Sequence, residues 1–193
     1  MSITIGPVRF SYAHIFTPYA REEGQDAKYT VTMLIPKHDT ATKARIDQAM
    51  SEALQNGIGT FGGTMPAKPR IPIYDGDGLR PNGEPFGQEC KGHWVMTASS
   101  RQRPGLVDSN MQPIIDQTAF YSGCYGYAAV NFFAYNRSGN KGVGCGLNNL
   151  LKTQDGEPLG GRTTPEEDFK GIAAAVQFTA DVINPLTGKP VGA

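Results

Sequence analysis

The chain has 193 residues, with 18 Lys+Arg against 18 Asp+Glu, 24 glycines and 14 prolines. That length supports a core without staples and predicts one domain, residues 1–193. A net charge of zero excludes any partner recognised by bulk charge alone. Residues 153–193 hold three bases and six acids, so the preceding residues carry 15 bases and 12 acids, a slight basic bias. No apolar run approaches the roughly 18 residues of a membrane span, and MSITIGPVRF lacks the shape of a signal peptide. Cys90, Cys124 and Cys145 are odd in number and lack metal-type spacing, which fits reduced thiols in a cytosol.

Residues 3–16 read as a strand, with Val8, Phe10, Tyr12, His14 and Phe16 on one parity, and with Pro7 breaking it or marking an edge. Residues 17–27 read as a loop. KYTVTMLI, residues 28–35, is a strand rich in β-branched residues that Pro36 ends. Asp39 or Thr40 then caps a helix to about Asn56, with Ile46, Ala49, Met50, Ala53 and Leu54 as its apolar stripe. Residues 57–92 form a loop-rich insertion with at best a short strand at 70–74. Asp75 and Asp77 resemble the start of a calcium loop, but Phe86 stands where that loop needs its bidentate Glu, so turn chemistry is expected and no metal. HWVMTASS, residues 93–100, is a strand, and residues 106–115 read as a short ribbon around an Asp108-Ser109-Asn110 turn.

Residues 121–151 organise the rest. Gly126, Ala128, Val130, Phe132 and Ala134 share one side of a strand, and Tyr125, Tyr127, Asn131, Phe133 and Tyr135 the other. The first side suits a packed interior and the second a surface that stacks flat rings. A turn at 136–140 leads into a return strand, 141–147, whose Gly142, Gly144 and Gly146 leave bare backbone beside the aromatics. Further on, residues 164–168 read as a short helix start, 173–182 as a last strand, and 184–193 as a frayed end.

Catalysis finds little support in the residues. His14, His38 and His93 lie on separate elements outside any local metal or nucleophile motif, and no cofactor is expected. Single-strand binding needs rings that stack on bases and cations spaced along a backbone. The candidate rings are Tyr125, Tyr127, Phe133, Tyr135 and Trp94, with Tyr12 and Tyr121 behind them. The candidate cations are Arg101, Arg103, Arg137, Lys141 and Lys152.

YSGCYGY at 121–127, VNFFAYN at 130–136 and GNKGVGCGLNN at 139–149, supported by KYTVTMLIP at 28–36 and ASSRQRPG at 98–105, resemble a bacteriophage single-stranded DNA-binding protein family long carried as a domain of unknown function. The resemblance implies an OB-fold, no enzymatic activity, and protection of single strands in phage replication, recombination or repair. Related phage proteins often end in a strongly acidic tail, which this chain, ending Pro190-Val-Gly-Ala193, does not show.

The fold expected is therefore mostly β: a five-stranded OB-type barrel elaborated with one clear helix and long Gly/Pro-rich loops. The expected partners are single-stranded DNA and phage or host replication proteins, with no membrane, with room for a homodimer, in the cytoplasm of the infected bacterial host. Two other readings stay open. One is a phage structural or protein-interaction module, which the zero net charge favours. The other is a metal-dependent nuclease using Asp75 and Asp77.

Overall fold

A computed structural model describes residues 2–20 and 23–160. The strands are β1 (Ser2–Tyr19), β2 (Lys28–Pro36), β3 (Ile73–Asp75), β4 (His93–Ser100), β5 (Gly105–Val107), β6 (Tyr125–Arg137) and β7 (Asn140–Gln154), with one α-helix, α1 (Thr40–Asn56), between β2 and β3. The compact unit they form spans Met1–Leu159. The helix start at 164–168, the strand at 173–182 and the frayed end at 184–193 fall outside the described residues.

The sheet order is β3-β4-β2-β1-β6-β7-β5, and a parallel contact at Ser99↔Gly146 joins β4 back to β7. Five strands therefore close on themselves in the order β4-β2-β1-β6-β7, the connectivity of an OB-type barrel, and β3 and β5 hang on the outside. Closure leaves β7 with three partners along its outer edge: Arg70 beside Gly142, β4 at Gly146, and β5 at residues 149–151.

The interior is filled from every strand, by Ile5, Val8, Phe10 and Ile15 of β1, Val31, Met33 and Ile35 of β2, Met96 and Ala98 of β4, Ala128, Val130 and Phe132 of β6, and Val143, Cys145, Leu147 and Leu150 of β7. α1 adds Ile46 and Met50, with Ala49, Ala53 and Leu54 alongside, so its predicted stripe is the face that packs. Asp39 caps the helix by accepting from the Thr42 N–H at 3.0 Å.

The readings of two strands need correction. β1 runs to Tyr19 rather than ending at Phe16. Its inward parity also switches twice, between Ile5 and Val8 and between Phe10 and Ile15, where the pairing register shifts and Tyr12 takes a left-handed φ of 44°. β7 extends to Gln154, because a register shift against Ala129–Val130 inserts Asn148 and turns Leu150 back to the core. Within the 57–92 segment the short strand is β3, at 73–75, and a 3₁₀ turn follows at Gln88–Cys90.

Asp75 and Asp77 do form turn chemistry. Asp75 Oδ1 accepts from the Asp77 N–H at 2.8 Å, and Asp77 Oδ1 from the Gly92 N–H at 3.1 Å. Lys37 Nζ sits between the two carboxylates, 2.5 Å from Asp75 and 2.6 Å from Asp77. It holds both carboxyls below the usual range, and they raise it in turn.

Candidate nucleic-acid interface

β6 keeps its alternation from Tyr125 to Phe133. Gly126, Ala128, Val130 and Phe132 are buried, whereas Phe133 is 47% exposed. An outward Asn131 avoids the cost of an unpaired amide in the barrel. The Ser138-Gly139 turn, with φ of 49° and 81°, carries the chain into β7 as a two-residue hairpin.

Gly144 and Gly146 of β7 are covered by β6 side chains rather than left bare. A Cβ built on Gly144 would lie 2.6 Å from the Phe133 ring, and one on Gly146 would lie 2.5 Å from the Asn131 amide. The outer edge of the Phe133 ring thus lies over Gly144, and nearly half of the residue stays open to solvent. Gly142 meets the backbone of Arg70 instead, which accepts from the Val143 N–H at 2.8 Å.

The barrel register extends this surface past β7. Phe133 pairs with Gly144, and Asn131 with Gly146. Gly146 lies beside Ser99, Ser99 pairs with Thr30, and Thr30 with His14. Paired residues point the same way, so one outward row runs Asn131–Gly146–Ser99–Thr30–His14 across five strands. The next row holds Phe133, Gly144, Thr97 and Thr32, with the Thr97 and Thr32 hydroxyls 3.0 Å apart. This floor is small, hydroxyl-rich and free of charge, and it lies on the second and third barrel strands, where OB-folds meet oligonucleotides. The hydroxyl floor escaped notice in the sequence, although its signal was present in the alternating Thr30, Thr32 of β2 and Thr97, Ser99 of β4.

The candidate cations divide sharply. Arg101 continues the outward parity of Ser99 at the rim. Its side chain is 72% exposed and donates to Asp26 at 2.9 Å. Arg103 lies over the Phe16 ring at 5.5 Å and is exposed. Arg137, at the hairpin tip, is exposed and makes no ion pair among the described residues. Lys141 and Lys152 have structural work. Lys141 Nζ donates to the Phe61 carbonyl. Lys152 is only 14% exposed and donates to the Ala119 carbonyl at 2.5 Å and to Asp155 at 2.6 Å, over the Tyr121 ring.

The candidate rings divide as well. Tyr135 pairs with Gly142 near the Phe133 end of the hairpin. Tyr125 and Tyr127 lie at the far end of β6. Six residues of strand put Tyr127 about 20 Å from Phe133, so these rings cannot form one platform. The Tyr127 ring packs on Gly6, and Tyr125 packs on Gly156 beneath the Arg9 guanidinium. Trp94 points inward, partly buried against the core, with Lys37 and Lys43 over its ring at 5.2 and 4.8 Å. Among the described residues no group of three His, Cys, Asp or Glu could hold a metal, and no helix is long and apolar enough to cross a membrane.

Residues 1–182 match the family described as Enterobacter phage Enc34, ssDNA-binding protein. The chain is 32% identical over 184 residues to putative protein p50 of Acyrthosiphon pisum secondary endosymbiont phage 1, covering 91% of this chain and 96% of that one. Its fold matches the single-stranded DNA-binding protein of bacteriophage Enc34, solved in complex with ssDNA, at 28% identity and a TM-score of 0.73 over 82% of this chain and 89% of that one. It also matches gp2.5, a single-stranded DNA-binding protein encoded by bacteriophage T7, with a TM-score of 0.57 at 14% identity over 89% and 93% of the two chains. The last is a likeness of fold alone.

Proposed function

The chain belongs to the phage Enc34 ssDNA-binding protein family, and from that membership and the surface above we propose that it binds single-stranded DNA without reading its sequence. The observation that carries this reading is the exposed Phe133 ring reaching over Gly144 beside an uncharged hydroxyl floor with Arg101 at its rim. A flat exposed ring stacks on any base, because every base has a π-face. A duplex hides those faces, so the same surface disfavours paired DNA. Arg101, Arg103 and Arg137 neutralise phosphates, whereas Lys141, Lys152 and Trp94 serve the fold. The reading places the protein in the cytoplasm of the infected host, coating strands exposed during phage replication, recombination or repair. It assigns the chain no catalytic step, and Lys37 occupies the gap between Asp75 and Asp77 that a nuclease metal would need.

The test is a titration of labelled oligo-dT against a duplex of equal length at two salt concentrations. Binding that favours oligo-dT and weakens with salt supports the proposal. Salt-insensitive binding, or none, would leave a protein-interaction module as the better account.

A further inference from the structure

Tyr19, the last residue of β1, is 49% exposed. Its ring lies on His14, with centroids 4.5 Å apart and planes 14° from parallel. An exposed ring held flat by a second ring is costly to leave in water without use, because apolar area stays hydrated while the side chain is immobilised. The stack also lies on the floor described above. His14 ends the row that begins at Asn131, and Tyr19 pairs with Lys28. Continuing the β2–β4 register past Tyr29↔Ser100 sets Arg101 opposite Lys28. Tyr19, Lys28 and Arg101 therefore form the next outward row, two of them cationic. Asp26 holds Arg101 through one of its five N–H donors, which leaves others for a phosphate.

From this arrangement, and resting on the single-strand reading, we infer that Tyr19 backed by His14 is a second base-stacking platform. A single strand then runs from Phe133 across Thr97, Ser99 and Thr30 to Tyr19, with Lys28 and Arg101 beside its backbone. The two platforms lie on β6 and β1, four strand spacings apart across β7, β4 and β2 and two rows apart along the strands, or roughly 23 Å. Such a span suits a contact of about 4 nucleotides, at the short end for an OB-fold. His14 holds the Tyr19 ring ready, so less freedom is lost when a base arrives.

The experiment measures the affinity of the full chain for labelled oligo-dT of about 12 nucleotides, long enough to span both platforms. It compares wild type, Phe133→Ala, Tyr19→Ala, Tyr19→Leu and Tyr19→Phe, with a thermal melt of each. Tyr19→Ala and Tyr19→Leu are expected to bind about 10-fold more weakly, and Tyr19→Phe to bind as wild type, because the ring and not the hydroxyl does the stacking. Tyr19→Leu keeps apolar bulk, so a melt lowered in Tyr19→Ala alone does not blur the result. If wild type binds and Phe133→Ala weakens it, but Tyr19→Leu binds as wild type, the second platform is wrong and the single-strand reading stands. If Tyr19→Phe is as weak as Tyr19→Leu, stacking is wrong as the mechanism. If wild type fails to bind oligo-dT, the underlying reading falls and takes this inference with it.

Discussion

Phe132 and Phe133 are adjacent on β6 and face opposite ways: Phe132 is 9% exposed within the core, and Phe133 is 47% exposed on Gly144. Truncating Phe132 removes packing atoms from the barrel and should cost about 3–5 kcal/mol of stability. Phe133→Ala should leave the melting temperature nearly unchanged and weaken oligo-dT binding by about 10-fold. Thermal melts and titrations of the two variants check both, and a more destabilised Phe133→Ala with normal binding would put the platform on the wrong face. The arginines are tested separately. Each of Arg101 and Arg103 that contacts a phosphate contributes about 0.7 to the slope of log K against log salt for a single strand. The double alanine variant should flatten that slope and weaken all sequences alike, and an unchanged slope would remove the pair from the site.

At the scale of elements, α1 depends on its first turn. Asp39 accepts from the Thr42 N–H, and bonding to Thr42 holds its carboxyl below the usual range. A carboxylate whose folded pKa is lowered stabilises the fold above its unfolded value, about 3.9, and that stability is lost as pH falls through the folded value. Asp39→Ala should therefore cost about 1 kcal/mol at neutral pH. Urea melts of the two proteins should converge in acid, below the folded pKa of Asp39. A difference that persists there would mean that packing, not the cap, is lost.

For the whole molecule, closure of the barrel determines which groups solvent can reach. Burial pushes the Cys145 thiol up to about 12 and Cys90 to about 11, and raises Cys124. All three cysteines are buried and unpaired. A thiol reagent at neutral pH should find none of them in the native protein and all three after denaturation. Rapid native labelling of Cys145 would show that the β6–β7 side of the barrel opens readily.

Local periodicity was enough to read α1, β2, β4 and the inward and outward faces of β6, because each is written in residues a few positions apart. The alternation of Phe132 and Phe133 is visible in the chain because a strand has period two whatever it packs against. The β1 parity was misread, because its switches lie at Gly6–Pro7 and Tyr12, where pairing with two neighbours shifts the register. The cations were legible as residue types but not as roles. Lys141 is tied to a carbonyl 80 residues away, and Lys152 to one 33 residues away. The hydroxyl floor depends on Ser99 meeting Gly146, and no short-range pattern encodes a parallel contact between distant strands. Residue chemistry and strand period belong to the sequence; which rings and charges share one face was decided only when the barrel closed, because closure pairs residues that the chain keeps far apart.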